Sequence, residues 1–405
     1  MTSGNHFIVR AAGLASFSIP LAIGILAASP EPYWLDSPEF TAAVQTLGVP
    51  HPPGHPLYIM LSKPFTLLPL GGIAFRVALA STMFGALASF ILYRMTSLIL
   101  EVSVPNLPAW IRALAACSSA LLASVAPGWW FQCVRAEVYA LQILLVLGAL
   151  YPLMLFCLRP RDNGDGLLYL GAFVTGLGIT NHHFIMLVAL PAAIPLLVDQ
   201  ARHRGGFGAL SLVGRLSGIG FLGLAPYLFL PIRSAAGAAV SLGGVHSLRD
   251  FFWVVSAKVY QKSMARQHAE ELSNRSLDAL FTMMGELGPV ILVASAAGLY
   301  LLLRRSSTRL VGLTLVLLVG IAMLLRSVMG FDPFNPDYYG YMLPVLAGFS
   351  VGFAVFAAVM IDVIGSSLRY GSLIASLMSV AMMAVPIARA REARTPSWAR
   401  PRRST

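Results

Sequence analysis

Two apolar runs decide the fold of this chain: AAGLASFSIPLAIGILAAS at residues 11–29 and IAFRVALASTMFGALASFILY at residues 73–93. Each is close to the roughly 20 residues that a helix needs to cross a bilayer. Between them lies a compact polar block, WLDSPEF at 34–40 followed by HPPGHPLY at 51–58. Carboxylates and imidazoles at the edge of a bilayer are costly unless they contact water, substrate or an ion. The polar block is therefore the first place to look for chemistry.

The whole chain has the composition of a membrane protein. Of its 405 residues, 57% are hydrophobic and 11% are charged, whereas soluble domains are about a quarter charged. This number of charged residues is too small to form a polar surface around the apolar core in water. The bilayer must therefore solvate most of the protein. The apolar runs predict an all-α polytopic membrane protein with about eleven transmembrane helices. The predicted spans are 11–29, 73–93, 110–128, 138–158, 166–181, 184–198, 212–232, 288–303, 310–326, 341–361 and 371–388.

The spans predict a single transmembrane domain over residues 1–388. Its two long outer segments are 30–72 and 233–287, and a basic tail at 389–405 is predicted to be disordered. The first outer segment ends in an apolar stretch too short to span, which favours an interfacial or re-entrant helix. The second outer segment has the pattern of amphipathic helices lying on the membrane surface.

The net charge of +11 does not indicate nucleic-acid binding. The basic residues lie between the apolar runs and do not form one continuous basic surface. They concentrate in the connectors 159–165, 199–211 and 304–309, as the positive-inside rule expects of cytoplasmic loops. With the N-terminus inside, the polar block and the other polar clusters all face the outer side. Eleven spans would also put the Arg-rich tail outside, which disagrees with the positive-inside rule. Either one span is miscounted or the tail crosses the membrane despite its charge.

Asp36 and Glu39 are the candidate catalytic residues. Their spacing of three places both carboxylates on one side of a helical turn. Such a group can act as a general base towards a hydroxyl, ligate a divalent ion or carry a proton. The structural alternative is a capping box, with Asp36 at the N-cap and Glu39 at the third helical position. The sequence leaves the involvement of a metal ion open.

His51 and His55 are candidate substrate-binding residues within a rigid segment. The prolines of HPPGHP fix their own φ angles and restrict the residues before them, and Gly54 permits a sharp turn. The two imidazoles would then contact a phosphate or a sugar hydroxyl at a defined separation. The alternative is a stiff turn that joins a helix to a surface segment. Two histidines alone are too few for a zinc site.

Further candidates follow later spans. Glu137 lies at the outer end of a span, and we expect Arg135 and Glu137 to pair with other spans rather than with each other. His182 follows a Gly-rich span. Arg233 ends a span with a fixed positive charge that suits a phosphate, although an interfacial snorkelling arginine is the alternative. The Pro-rich loop 331–339 suits a lid, a carbohydrate-stacking surface or an ordinary turn.

The motifs DSPEF at 36–40 and HPPGHPLY at 51–58 resemble the opening of the transmembrane protein 260-like protein O-mannosyltransferase family. The resemblance extends over roughly residues 8–345. Further matches follow in chain order: EVY at 137–139, GITNH at 178–182, PIRS at 231–234 and a segment that contains Tyr260. The chain departs from the family at 242–244, where it has LGG in place of a Trp-Gly pair.

The resemblance implies a GT-C-like membrane glycosyltransferase. Such an enzyme takes a sugar from a polyprenyl-phosphate donor on the non-cytoplasmic face, and its base carboxylate lies in the first outer loop. Asp36 and Glu39 would then be catalytic, and the acceptor would be a hydroxyl of a protein or glycan. The donor-binding residues would be His51, His55, Glu137, His182, Arg233 and Tyr260.

The expected location is the bacterial inner (plasma) membrane, with the active site facing outside. The alternative function is a transporter or flippase of a lipid-linked saccharide or polar metabolite. Such a protein would need charged residues at mid-membrane and broken helices in paired halves. The sequence shows no inverted repeat, which favours the enzyme.

Overall fold

The structure is a computed structural model that describes residues 3–33, 35–159, 164–264, 269–329 and 335–367. The predicted span 371–388 and the predicted basic tail lie outside the described residues, as does part of the loop 331–339.

The described residues are predominantly α-helical, as the apolar runs predict. Strand-like pairing among them is limited to one parallel bridge between Val49 and Ser241. In chain order the helices are α1 (Ser3–Ala27), α2 (Ser37–Thr46), α3 (Pro56–Ser62), α4 (Ile73–Ser103), α5 (Ala109–Ser124), α6 (Pro127–Cys133), α7 (Tyr139–Leu158), α8 (Gly166–Leu222), α9 (Phe229–Ala235), α10 (Leu248–Val255), α11 (Lys258–Met264), α12 (Ala269–Leu287), α13 (Pro289–Arg304), α14 (Arg309–Met329) and α15 (Tyr338–Ser367). Short 3₁₀ turns follow α3 and α8.

Six of the described helices are long and apolar enough to cross a membrane. The number rises to eight if two bent pairs each count as one span: α5 with α6, bent by 70°, and α12 with α13, bent by 105°. The prediction of an all-α polytopic membrane protein is confirmed. The predicted number of eleven spans is not confirmed by the described helices.

Helix α8 contains three of the predicted spans, wholly or in part. Its helical dihedral angles are broken at His182 and at Gly205, which lie between the predicted spans 166–181, 184–198 and 212–232. Gly205 has a φ of +68°, in the left-handed region that glycine adopts at no steric cost. The break at Gly205 lies within the predicted connector 199–211, so it separates the predicted spans 184–198 and 212–232.

The core lies between the long helices. Helix α4 packs against α1, α5 and α7, and α15 packs against α13, α14 and α5. Small residues allow close approach: a Cβ on Gly298 in α13 would overlap the carbonyl oxygen of Gly352 in α15. Packing of this kind takes the place of the hydrophobic effect between helices in lipid.

The two predicted outer segments pack together at one end of the bundle. The amide of Val49 donates to the carbonyl of Val240 at 2.8 Å, and Leu242 N donates back to Val49 O at 2.9 Å. Arg233 donates from Nε to the carbonyl of Leu47 at 2.7 Å and from Nη2 to that of Thr46 at 3.2 Å. These contacts fix the C-terminal end of α2 and so hold the polar block over the ends of α4 and α7.

Candidate active site

The carboxylates of the polar block do not form a capping box. Asp36 occupies the N-cap position of α2, but its side chain makes no capping hydrogen bond. Oε1 of Glu39 instead accepts two hydrogen bonds from His51, one from the backbone N at 2.6 Å and one from Nδ1 at 3.0 Å. The structural alternative of a capping box is therefore wrong, and the carboxylate of Glu39 serves to hold His51.

His51 lies between the two carboxylates. Because an ionised carboxylate only accepts, Nδ1 carries the hydrogen that binds Glu39. Nε2 is then directed to the other side, 3.9 Å from Oδ2 of Asp36. Asp36, Glu39 and His51 thus form a row of acid, imidazole and acid, half-buried at the edge of the fold. We call these three residues the acid–imidazole cluster.

The surroundings shift the pKa of each group in the acid–imidazole cluster. Burial raises the pKa of Asp36 above its usual value, and the nearby charge of His51 opposes part of this effect. Burial would also raise the pKa of Glu39, but the hydrogen bonds and the charge of His51 lower it overall. Burial would lower the pKa of His51, yet the hydrogen bond to Glu39 and the charge of Asp36 raise it overall. Asp36 is therefore the stronger base of the two carboxylates.

The same cluster could hold a metal ion. One ligand atom from each of Asp36, Glu39 and His51 lies within 4.8 Å of the others. Nδ1 of His51 and Oε1 of Glu39 already bind each other at 3.0 Å. An ion bound through these two atoms would have to replace that hydrogen bond, so the geometry seen here is that of a hydrogen-bonded cluster.

The turn after His51 brings a second imidazole inside the fold. The amide of Gly54 donates to the carbonyl of His51 at 2.8 Å. Gly54 has a φ of +89°, and a Cβ there would lie 2.8 Å from a methyl group of Leu230. His55 is buried, and its Nδ1 donates to the carbonyl of Asn181 at 2.6 Å. Burial lowers the pKa of His55, so this imidazole is neutral and anchors the turn to α8.

A polar cavity of about 360 Å³ opens beside the acid–imidazole cluster. Six of the eight predicted site residues line it: Asp36, His51, His55, Glu137, His182 and Tyr260. Glu39 lies behind His51 and reaches the cavity only through that ring. Arg233 is not among the lining residues, because its guanidinium is directed to the end of α2. Donor binding by Arg233 stays a prediction.

A buried ionic cluster borders the cavity through Glu137 and Asp337. Arg135 lies within ion-pair distance of two carboxylates, Nη1 to Oε2 of Glu137 at 3.1 Å and Nη2 to Oδ1 of Asp337 at 2.6 Å. The expectation that Arg135 and Glu137 pair with other spans rather than with each other is wrong for this pair, since the two side chains contact each other, whereas Asp337 is a partner of Arg135 from another part of the chain. Sequence reasoning missed Asp337 as a site residue, since it reaches Arg135 across 202 positions of the chain.

Aromatic side chains surround His182 at the inner end of the cavity. The hydroxyl of Tyr341 lies 3.3 Å from Nε2 of His182, and the Tyr139 ring lies 5.5 Å from its ring. The adjacent Asn181 donates from Nδ2 to Oε1 of Gln142 at 2.8 Å. Tyr139 could have been found from the sequence, because it belongs to the EVY motif. No local signal in the sequence identifies Tyr341.

An apolar groove of about 380 Å³ adjoins the polar cavity along α8. Its walls are α7 and the segments of α8 on either side of the breaks, and they include Ile179 and Met186. His182 and Phe184, in the same stretch of α8, line the polar cavity. Gly176 lets the segments close on each other, since a Cβ there would overlap the carbonyl oxygen of Gly220. A molecule with a polar head and an apolar tail could occupy both spaces.

Similar proteins of known name include two protein O-mannosyl-transferases. Protein O-mannosyl-transferase tmem260 of Dictyostelium discoideum is 27% identical over 230 residues, which are 53% of this chain and 27% of that protein. Protein O-mannosyl-transferase TMEM260 of Mus musculus is 32% identical over 220 residues, 53% of this chain and 29% of that protein. The match thus spans less than a third of either relative.

A solved structure shares the fold. ArnT from Cupriavidus metallidurans, bound to undecaprenyl phosphate, superposes with a TM-score of 0.56 and 12% sequence identity. The superposition covers 94% of this chain and 74% of ArnT. At this identity the likeness shows the fold alone, and it confirms the predicted GT-C-like architecture. The family resemblance is confirmed as well, because residues 36–204 of this membrane protein match the N-terminal domain of the protein O-mannosyl-transferase TMEM260 family.

Proposed function

We propose that this protein transfers a sugar from a polyprenyl-phosphate donor to an acceptor hydroxyl on the extracytoplasmic face of a bacterial inner membrane. The acceptor is a protein or a glycan. The relatives are named protein O-mannosyl-transferases, which makes mannose the first sugar to test and a protein hydroxyl the first acceptor.

One observation carries this proposal: the acid–imidazole cluster borders a polar cavity that adjoins an apolar groove. A lipid-linked sugar phosphate has the same two parts. Its prenyl chain would lie in the groove beside Ile179, and its sugar would lie in the cavity between Asp36 and His182. The undecaprenyl phosphate bound by the structural relative ArnT supports a donor of this class.

Asp36 is the general base in the proposed reaction. Its carboxylate accepts the proton of the acceptor hydroxyl while the acceptor oxygen forms a bond to the anomeric carbon of the sugar. The bond between that carbon and the phosphate oxygen breaks, and its electron pair leaves with the polyprenyl phosphate. The raised pKa of Asp36 suits this role, because a stronger base takes the proton more readily.

The other cavity residues bind and position the substrates. His51, held by Glu39, presents Nε2 to the cavity and keeps the carboxylate of Asp36 ionised through its positive charge. His182 in α8 and Tyr260 in α11 both line the cavity. They can donate hydrogen bonds to sugar hydroxyls or phosphate oxygens.

Substitution of Asp36 by Asn tests the proposal. Asn keeps the shape of the side chain but cannot accept the proton, so we expect the turnover rate to fall about 10²- to 10⁴-fold. The measurement is release of polyprenyl phosphate by purified protein from polyprenyl-phosphate mannose and an acceptor peptide.

Asp278→Asn is the matched control, because Asp278 is an exposed carboxylate on α12 away from the cavity. It should retain the wild-type rate. Wild-type turnover in the Asp36→Asn variant would refute the role of Asp36. Uptake of the donor into vesicles with its sugar–phosphate bond intact would instead establish the transporter alternative.

A further inference from the structure

A second polar pocket, of about 270 Å³, lies among α1, α4, α5 and α7. Both polar and apolar side chains line it. The polar lining consists of Tyr93, Arg94, Ser97, Glu101, Arg112, Tyr151 and Arg159. We call this cavity the arginine pocket. None of its lining residues belongs to the candidate active site.

The arginine pocket lies at the opposite membrane face from the active-site cavity. Tyr139, at the start of α7, lines the active-site cavity, and Arg159, just after its end, lines the arginine pocket. At 1.5 Å per residue the helix between them is roughly 30 Å long. A bilayer has a hydrocarbon core of about the same thickness. The pocket therefore lies at the level of the lipid headgroups.

The charges in the arginine pocket are unbalanced. Among the described residues that line it, three guanidinium groups face the single carboxylate of Glu101. Arg159 forms an ion pair with Glu101. Arg112 donates to the backbone carbonyls of Val104 and Pro105, at 3.3 and 2.8 Å. These carbonyls leave the charge of Arg112 uncompensated.

Arg94 is the group that points to a ligand. It lies within the membrane-spanning helix α4, and its side chain is exposed into the pocket. Its hydrogen bond within the described residues is a long one, from Nε to the hydroxyl of Tyr151 at 3.4 Å. A guanidinium has five donors and binds phosphate oxygens in pairs. Most of the donors of Arg94 are therefore left for an anion.

The apolar lining of the arginine pocket bears on the kind of anion. Val9, Leu98, Ala113 and Leu155 line the pocket together with the guanidinium groups. A basic pocket between transmembrane helices at the headgroup level is the chemistry that recognises anionic lipids. We propose that the arginine pocket binds the phosphate headgroup of an anionic phospholipid, whose acyl chains contact these apolar side chains. The site is independent of the sugar-transfer reaction proposed above.

The test is native mass spectrometry of the full-length protein in detergent, titrated separately with phosphatidylglycerol and with phosphatidylcholine. We expect phosphatidylglycerol to bind more tightly, because the zwitterionic lipid brings no net negative charge. Arg94→Gln should weaken phosphatidylglycerol binding about five- to tenfold, since it removes charge-assisted hydrogen bonds. Arg94→Lys, which keeps the charge, should weaken it less.

Arg304→Gln is the matched control, because Arg304 is exposed at the end of α13 and does not line the pocket. It should bind phosphatidylglycerol like the wild type. Equal affinity for the two lipids, or an equal loss in Arg94→Gln and Arg304→Gln, would overturn the proposal. Inorganic phosphate that displaces phosphatidylglycerol at comparable concentrations would do so too, since it would identify a site for free anions.

Discussion

At the residue scale, Glu39 and Asp36 approach His51 from its two ring nitrogens. The hydrogen bond from Nδ1 to Glu39 fixes the ring, so that Nε2 faces Asp36 and the cavity. The two carboxylates consequently have different environments and opposite pKa shifts, Asp36 upward and Glu39 downward. A difference of this kind separates a base from a positioning group.

The charge of His51 should be visible in the pH dependence of kcat/KM. Activity should rise with pH as Asp36 loses its proton. Burial raises the pKa of Asp36, so this rise should occur at a higher pH than for an ordinary Asp. The positive charge of His51 favours the Asp36 carboxylate and so lowers its pKa. Without that charge the pKa of Asp36 rises further. We therefore expect the acidic limb of the profile to move to higher pH in His51→Gln.

His246→Gln serves as the control for this shift, because His246 is exposed in the second outer segment and does not line the cavity. Its acidic limb should coincide with that of the wild type. An acidic limb in His51→Gln that stays in place or moves to lower pH would show that His51 does not act on Asp36 through its charge.

Most of the candidate site residues could be predicted, because they lie in short motifs with unusual composition. Asp36, His51 and His55 belong to a polar block between apolar runs, and all three line the cavity. Asp337 lies in the Pro-rich loop 331–339, but nothing in that loop distinguishes it as a site residue, and Tyr341 lies in an apolar span. They enter the cavity from α15 and the turn before it, and only the packing of α15 against α4 and α7 brings them there.

At the element scale, Arg135 joins the starts of two membrane helices. It follows α6, and its partners Glu137 and Asp337 immediately precede α7 and α15. All three side chains are buried. The ionic cluster thus fixes the N-terminal ends of α7 and α15, which carry Tyr139 and Tyr341 into the cavity.

Replacement of Arg135 by Met should strongly destabilise the protein. It leaves two buried carboxylates without their cation, and removal of one partner from a buried ion pair costs about 3–5 kcal/mol. The measurement is the unfolding midpoint of the detergent-solubilised protein. Arg304→Met, at an exposed position, should keep the wild-type midpoint. Equal midpoints for the two variants would show that the ionic cluster does not hold the helices.

Sequence patterns predict where α8 breaks, but they do not predict the contacts at the break. The sequence separates residues 166–181 from 184–198, and the structure breaks the helix at His182, between them. At this break the ring of His182 packs against the rings of Tyr139 and Tyr341. Those partners come from distant parts of the chain, so the pattern predicts the place of the break but not these contacts.

At the scale of the whole molecule, the protein has two polar ends separated by an apolar bundle. The acid–imidazole cluster and the active-site cavity occupy one end, and the arginine pocket occupies the other. The distribution of basic connectors predicts that the cavity end faces outward. The sequence predicts this general organisation because sidedness depends on composition. The number of spans depends on where helices bend, as at the 105° turn between α12 and α13.

Cysteine labelling in intact cells tests the account most directly, because sugar transfer from a polyprenyl-phosphate donor requires the Asp36 cavity to open to the extracytoplasmic side. Leu35 lines the cavity and is exposed, and Arg304 is exposed in a connector that we predict to be cytoplasmic. In a Cys157→Ser background, Leu35→Cys should react with a membrane-impermeant maleimide in intact cells. Arg304→Cys should react only after permeabilisation. The opposite pattern, with Leu35→Cys protected until the cells are opened, would contradict the account.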